Sequence, residues 1–196
     1  MSKRTLVLDT ASKYLYFSFL EDEKIIYEQF LEGKNNHSEN LLKELEIGLN
    51  KLNLTFKDFS EVIVGIGPGS YTGLRVSVTV AKMLAWTLNK KLYAISSLSL
   101  LASGYFNTNG LYAVTIKAKK NHVYGKLIKV EAGNVSEIIS DGFFEESEFL
   151  EKIKDYDYKI INEENYKIDP TNLDATLVTD VHNLSPNYIQ KGVWDI

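Results

Sequence analysis

Val62–Lys82, reading VIVGIGPGSYTGLRVSVTVAK, holds the densest set of ligand-capable groups in the chain. Gly65, Gly67, Gly69 and Gly73 free the backbone, Ser70 and Thr72 bring hydroxyls, and Pro68 fixes the turn between them. Thr72 is placed to cap a helix begun by Leu74, and the amides of Ser70–Gly73 would then point into the turn, where they could hold an anion. Spacing excludes the two commonest phosphate cradles. A Walker A loop needs lysine and a hydroxyl residue straight after its last glycine, but Gly73 is followed by Leu74 and Arg75; the dinucleotide fingerprint needs glycine where Thr72 stands. The preferred reading is therefore a tight strand-to-helix turn whose glycines let the helix pack closely. Arg75 adds a second chemistry, because the chain has only one other arginine, Arg4, and a guanidinium fork can clamp a carboxylate or phosphate.

Elsewhere the reactive groups are dispersed. His37, His122 and His182 are far apart and there is no cysteine, so neither a metal clamp nor a thiol nucleophile is expected, and no cofactor is assigned. Residues 111–130 carry Lys117, Lys119, Lys120, Lys126 and Lys129 with no acid, and Tyr112 and Tyr124 lie among them. A strip that stacks bases and binds RNA phosphates is one reading; a solvated hairpin with lysines pointing outward is preferred. The net charge of −4 argues against nucleic-acid binding over the whole surface. Lys3 and Arg4 precede an apolar run, Leu6–Leu8, that stops at Asp9, too short for a signal-peptide core, and no stretch reaches the length of a membrane span. A cytoplasmic protein is expected.

The elements that must position these groups follow from hydrophobic period. Thr5–Leu8, Tyr14–Leu20 and Ile25–Leu31 read as strands, and Leu41, Leu42, Leu45, Gly48, Leu49 and Leu52 as the stripe of a helix over 38–53 capped by Ser38. Val62–Ile66, a helix Leu74–Asn89, a strand Leu92–Ile95 and a helix near Leu98–Tyr105 complete a βββαβαβα order. The second half repeats this in reduced form: strands Leu111–Ile116, His122–Val130 and Val135–Ile139, a helix Glu145–Lys154, a strand Tyr158–Ile161, and a helix over Leu173–Val181. Asn107–Gly110 marks a boundary, giving lobes 1–106 and 107–196. On the helix after the glycine loop, Leu74, Ser77, Val78, Ala81, Leu84, Ala85 and Leu88 share a sheet-facing side, yet Val76, Val80, Met83 and Thr87 make a second side that is also mostly apolar. With Ile47 of the preceding helix, which sits opposite its own core stripe, these residues form the expected partner interface.

GPGSYTGLRVSVTVAK followed by SSLSLLA, together with the opening LVLDTASKYLYFSFL, resembles the bacterial TsaB (YeaZ) family, over nearly all of residues 4–103. The resemblance implies an actin-like ATPase (ASKHA) α/β fold of two ribonuclease H-like lobes, the second reduced. It also implies a non-catalytic subunit of the tRNA threonylcarbamoyladenosine machinery that partners the catalytic TsaD and the ATPase TsaE, and pairs with a second copy of itself. Contact with tRNA would occur only within that complex. The catalytic relative would carry His-x-x-x-His where this chain has His37 and Leu41, which removes the local metal clamp. Asp9 and Thr10 fall where actin-like enzymes place phosphate-facing groups, although an ordinary turn with local hydrogen bonds is preferred. A family Asp-Ala-Arg is here Lys117-Ala118-Lys119. The runner-up function is an enzyme, an ATP-dependent phosphotransferase or a TsaD-like metallohydrolase.

Overall fold

The computed structural model describes residues 2–32 and 37–189. Three strands open the fold: β1 (Arg4–Asp9), β2 (Tyr14–Glu21) and β3 (Lys24–Glu32). They form an antiparallel meander, and the β2–β3 turn is closed by Asp22 and Glu23 at φ 46° and 65°, the left-handed pair that matches the twist of a two-residue hairpin. Then α1 (His37–Lys51) leads to β4 (Glu61–Gly65), which pairs parallel to β1; α2 (Tyr71–Thr87) leads to β5 (Lys91–Ile95), parallel to β4; and α3 (Ser97–Ala102) closes the unit. Central strands read as continuous apolar runs because both sheet faces are covered, with every residue of β1 after Arg4 buried. On one face Phe17, Phe19, Leu41, Leu45, Leu49, Val78, Ala81 and Leu84 form the core under α1 and α2. Leu42, expected in the α1 stripe, is 47% exposed, whereas Leu41, Leu45 and Leu49 keep the i, i+4, i+8 row that meets the sheet.

The second sheet comprises β6 (Gly110–Lys117), β7 (His122–Glu131), β8 (Asn134–Glu145) and, after α4 (Glu146–Ile153), β9 (Tyr158–Ile161). Its order, β8-β7-β6-β9, with antiparallel β6/β7 and β7/β8 and parallel β6/β9, reproduces the order and directions of β3-β2-β1-β4. α3 lies between the sheets, and Ala11, Leu74, Leu98, Leu101 and Phe106 from the first half share one core with Tyr112, Val114, Ile116, Ile128 and Ile161 from the second.

Beyond β9 the chain leaves the second sheet. The Lys167 amide donates to the Leu101 carbonyl at 3.0 Å, and β10 (Thr176–Leu177) adds antiparallel to the edge strand β5. Assigning everything after residue 106 to a second lobe therefore separates β10 from the sheet that it completes. The helix expected over Leu173–Val181 is absent; a nine-residue helix nucleates poorly, and pairing with the exposed edge of β5 satisfies the same backbone groups. Among the described residues, no helix is long and apolar enough to cross a membrane.

Candidate functional site

The glycine-rich turn is built against the end of β1. α2 begins at Tyr71 and its N-cap is Ser70, whose hydroxyl accepts the Gly73 amide at 3.2 Å; Thr72, expected as the cap, lies one residue inside the helix. The Ser70 amide donates to the Ala11 carbonyl at 2.6 Å, and the Thr10 hydroxyl donates to the Gly73 carbonyl at 2.6 Å. Two positions admit only glycine on grounds of space: a Cβ on Gly69 would sit 2.3 Å from the Ala11 oxygen, and one on Gly73 would sit 1.9 Å from the Thr10 oxygen. Of the four amides expected to cradle an anion, those of Ser70 and Gly73 have intramolecular partners, and two carbonyl oxygens press on the turn with the wrong charge for an anion.

Asp9 and Thr10 belong to the same joint. Asp9 is 1% exposed; one carboxylate oxygen accepts the Ala11 amide at 2.8 Å and the other accepts the Ser97 hydroxyl. Burial pushes its carboxyl up to about 6, against the downward pull of the Ser97 and Ala11 hydrogen bonds. Ser97 also exchanges hydrogen bonds with Gly67, both at 2.9 Å, so β1, the turn and α3 are tied at one point.

α2 buries Leu74, Ser77, Val78, Ala81, Leu84 and Ala85 against the sheet. The second face divides. Val80 is 7% exposed and belongs to the core, and Val76 is half-buried against it, which corrects the placing of both on an open face. Ile47 is likewise half-buried. Open to solvent are Tyr71 (59%), Met83 (46%) and Trp86 (66%), with Thr79 and Thr87 beside them. The polypeptide itself covers one flank. Val178, Val181 and Leu184 pack on the core, the Lys82 ammonium donates to the carbonyls of His182 and Leu184 at 2.8 and 2.7 Å, and Trp86 meets the His182 ring edge-on at 4.6 Å. Tyr188 lies 4.8 Å from Tyr71, ring to ring. Two shallow hollows remain along the helix, about 370 Å³ between Tyr71 and Val80 and about 380 Å³ between Thr79 and His182.

Arg75 projects from this surface with its guanidinium 5.5 Å over the Tyr71 ring, and among the described residues no carboxylate pairs with it.

Sequence reasoning missed the wall formed by residues 178–188. Its signal is the apolar spacing of Val178, Val181 and Leu184, the first two of which fall in the helix expected over Leu173–Val181.

The basic strip does not form. Lys126 is 2% exposed, and its ammonium meets Glu137 at 2.6 Å, Asp141 at 3.2 Å and the Ser99 hydroxyl at 2.8 Å; regular alternation along β7 turns it to the face opposite Lys129, and the β7–β8 register shifts lie on the partner stretch that supplies Glu137 and Asp141. Tyr112 is buried with its hydroxyl on the Thr108 carbonyl, and Lys129 pairs with Glu131. Lys117, Lys119 and Lys120 alone stay exposed at the β6–β7 turn. Among the described residues, no three His, Cys, Asp or Glu side chains converge as metal ligands; the His37 side chain lies outside them.

A family model described as "TsaD: tRNA N6-adenosine threonylcarbamoyltransferase" matches residues 27–185. The Bacillus subtilis (strain 168) tRNA threonylcarbamoyladenosine biosynthesis protein TsaB is 32% identical over 156 residues, covering 80% of this chain and 68% of that protein. A protein of the same name from Buchnera aphidicola subsp. Schizaphis graminum is 29% identical over 126 residues, covering 63% of this chain and 60% of its own length. The crystal structure of an uncharacterized protein with similarity to peptidase YEAZ from Pseudomonas aeruginosa superposes with a TM-score of 0.75 at 16% identity, covering 96% of this chain and all of that one. With 32% identity over 80% of this chain to a TsaB protein and a family model matched over residues 27–185, the chain belongs to the TsaB (YeaZ) family.

Proposed function

We propose that this chain is the non-catalytic scaffold of tRNA N6-threonylcarbamoyladenosine biosynthesis, binding the catalytic subunit TsaD through the outer face of α2 and holding it in a competent arrangement. The carrying observation is that Tyr71, Met83 and Trp86 stand 59%, 46% and 66% exposed along one helix flanked by two hollows. Large aromatic and methionine side chains on one ridge are the composition that a protein interface favours. The names of the relatives support the pathway. The Thr10 and Ala11 carbonyls packed against Gly73 and Gly69, and the internal bonds of the Ser70 and Gly73 amides, support a role in which this chain supplies no reacting group. The repeated βββαβ order of the two sheets supports an actin-like ancestry with a reduced second lobe. In this reading TsaE joins the assembly, a second copy of the chain competes for the same face, tRNA is contacted only within the complex, and the work is done in the cytoplasm.

The test is a reconstituted reaction containing TsaD, TsaE, threonylcarbamoyl-adenylate, ATP and tRNA, with modified nucleoside quantified by mass spectrometry after nuclease digestion. Modification should depend on this chain and be abolished by Trp86→Glu. Full modification without the chain, or undiminished stimulation by a variant that no longer binds TsaD, would rule out the scaffold. Turnover of ATP by the isolated chain would favour the phosphotransferase reading instead.

A further inference from the structure

The two sheets share one plan but are covered differently. In the first, α1 lies over β2 while α2, which follows β4, lies over β4, β1 and β5. In the second, α4 takes the place of α1 and covers β7 and β8. Among the described residues no helix follows β9; the chain turns at Asn162–Asn165 and returns to the first sheet. The face over β6 and β9 consequently carries a cleft of about 200 Å³, floored by Ala113, Val123, Phe149 and Ile153. At its rim Leu150 and Ile160 stand 39% and 42% exposed. The rim charge leans negative. Glu146, Glu163 and Glu164 line it against Lys13 and Lys117, and the Lys13 ammonium is already held by Glu32 at 3.1 Å.

We infer that this cleft receives an amphipathic, cationic helix of a partner protein, seated on β6 and β9 as α2 is seated on β1 and β4. α2 shows the seating: its apolar row packs on the strands and the neighbouring helix while its cations, Arg75 and Lys82, lie off the sheet-facing side, and at the second sheet Glu163 and Glu164 stand at the rim where such flanking cations would pass. A helix of that kind would bury Leu150 and Ile160, fill the cleft with aliphatic side chains and place its cations toward Glu163 and Glu164. The surface lies on the second sheet, away from the outer face of α2, so this docking is additional to the proposed TsaD contact and its failure leaves that contact untouched.

A fluorescein-labelled peptide of residues 71–89 serves as the probe, titrated with the full chain and read by anisotropy. Saturable binding is expected, weakened at least tenfold by Ile160→Glu or Leu150→Glu, both exposed positions, while Trp86→Glu leaves it unchanged. Reversing charge in the peptide, Arg75→Glu with Lys82→Glu, is expected to weaken binding to a similar extent, and Glu163→Lys with Glu164→Lys in the chain to restore part of it. Amide shifts should move in β9 and α4. Absence of saturable binding, binding indifferent to Ile160→Glu and Leu150→Glu, or shifts confined to α2 would overturn the inference. Should Ile160→Glu lower the melting temperature, the paired charge reversals, at the half-buried Glu163 and exposed Glu164 of the loop after β9, still decide.

Discussion

At the scale of single residues, Asp9 is held in the interior by one amide and one hydroxyl, and burial raises its carboxyl to about 6. An unfolded aspartate titrates near about 3.9. The folded state therefore binds this proton more tightly, so the contribution of Asp9 to stability is greatest below about pH 4, falls as pH rises to about 6, and then levels. Asp9→Asn keeps an acceptor for the Ala11 amide and removes the charge. Urea denaturation between pH 4 and 8 should show the Asp9 part of the slope, up to about 3 kcal/mol across the window, lost in the variant while the part from other shifted carboxyls such as Asp141 remains. Parallel curves for the two proteins would mean that Asp9 does not titrate there. Half of this site was legible: a carboxylate bonding an amide two residues on is a local turn habit, whereas Ser97 reaches Asp9 from 88 residues away. Lys126 offered a comparable clue, since Lys126 and Lys129 are an odd number of residues apart and strict strand alternation cannot expose both.

At the scale of the element, α2 separates residues that a helical wheel groups together. Val76, Val80, Met83 and Thr87 share one side by period, but how far along that side solvent reaches depends on α1 and on residues 178–188, which are remote in sequence. Local chemistry also competed for the helix start: Ser70 and Thr72 are both good caps, and Ser70 prevails because its amide is anchored by Ala11. The consequence is measurable. Val80→Glu puts an unpaired carboxylate into the core and should cost several kcal/mol, visible as a melting temperature lowered by ten degrees or more, on the order expected for a domain of this size. Met83→Glu and Trp86→Glu should shift it by no more than a few degrees, since roughly 1 kcal/mol or less attaches to exposed positions. Equal losses at all three positions would make the whole side part of the fold and remove the ridge on which TsaD docking is proposed.

At the scale of the molecule, the order of strands and helices is readable because helical stripes of period 3.6 stand between short apolar or alternating strand runs bounded by turn residues, and the repeat of β1-β2-β3-α1-β4 as β6-β7-β8-α4-β9 follows from that order alone. Which parts depend on one another is not readable, since it is set by contacts without sequence period. The core around α3 takes Leu98, Leu101 and Phe106 from one half and Tyr112, Val114 and Ile161 from the other, while β10 and Val178, Val181 and Leu184 complete the first sheet and its core from the far end of the sequence. The prediction from this shared core is that the polar turn at Asn107–Gly110 bends the chain within one folding unit rather than dividing two independent ones. Residues 1–106 expressed alone should consequently expose the α3 side of the shared core, bind a hydrophobic dye and melt without a cooperative transition. Residues 1–189 should melt in a single step, because the shared core couples the two sheets. Circular dichroism melts and proton–nitrogen correlation spectra distinguish the cases: a dispersed spectrum and a sharp transition from 1–106 alone would establish that lobe as autonomous, and two resolved transitions in 1–189 would show that the core around α3 does not join the halves.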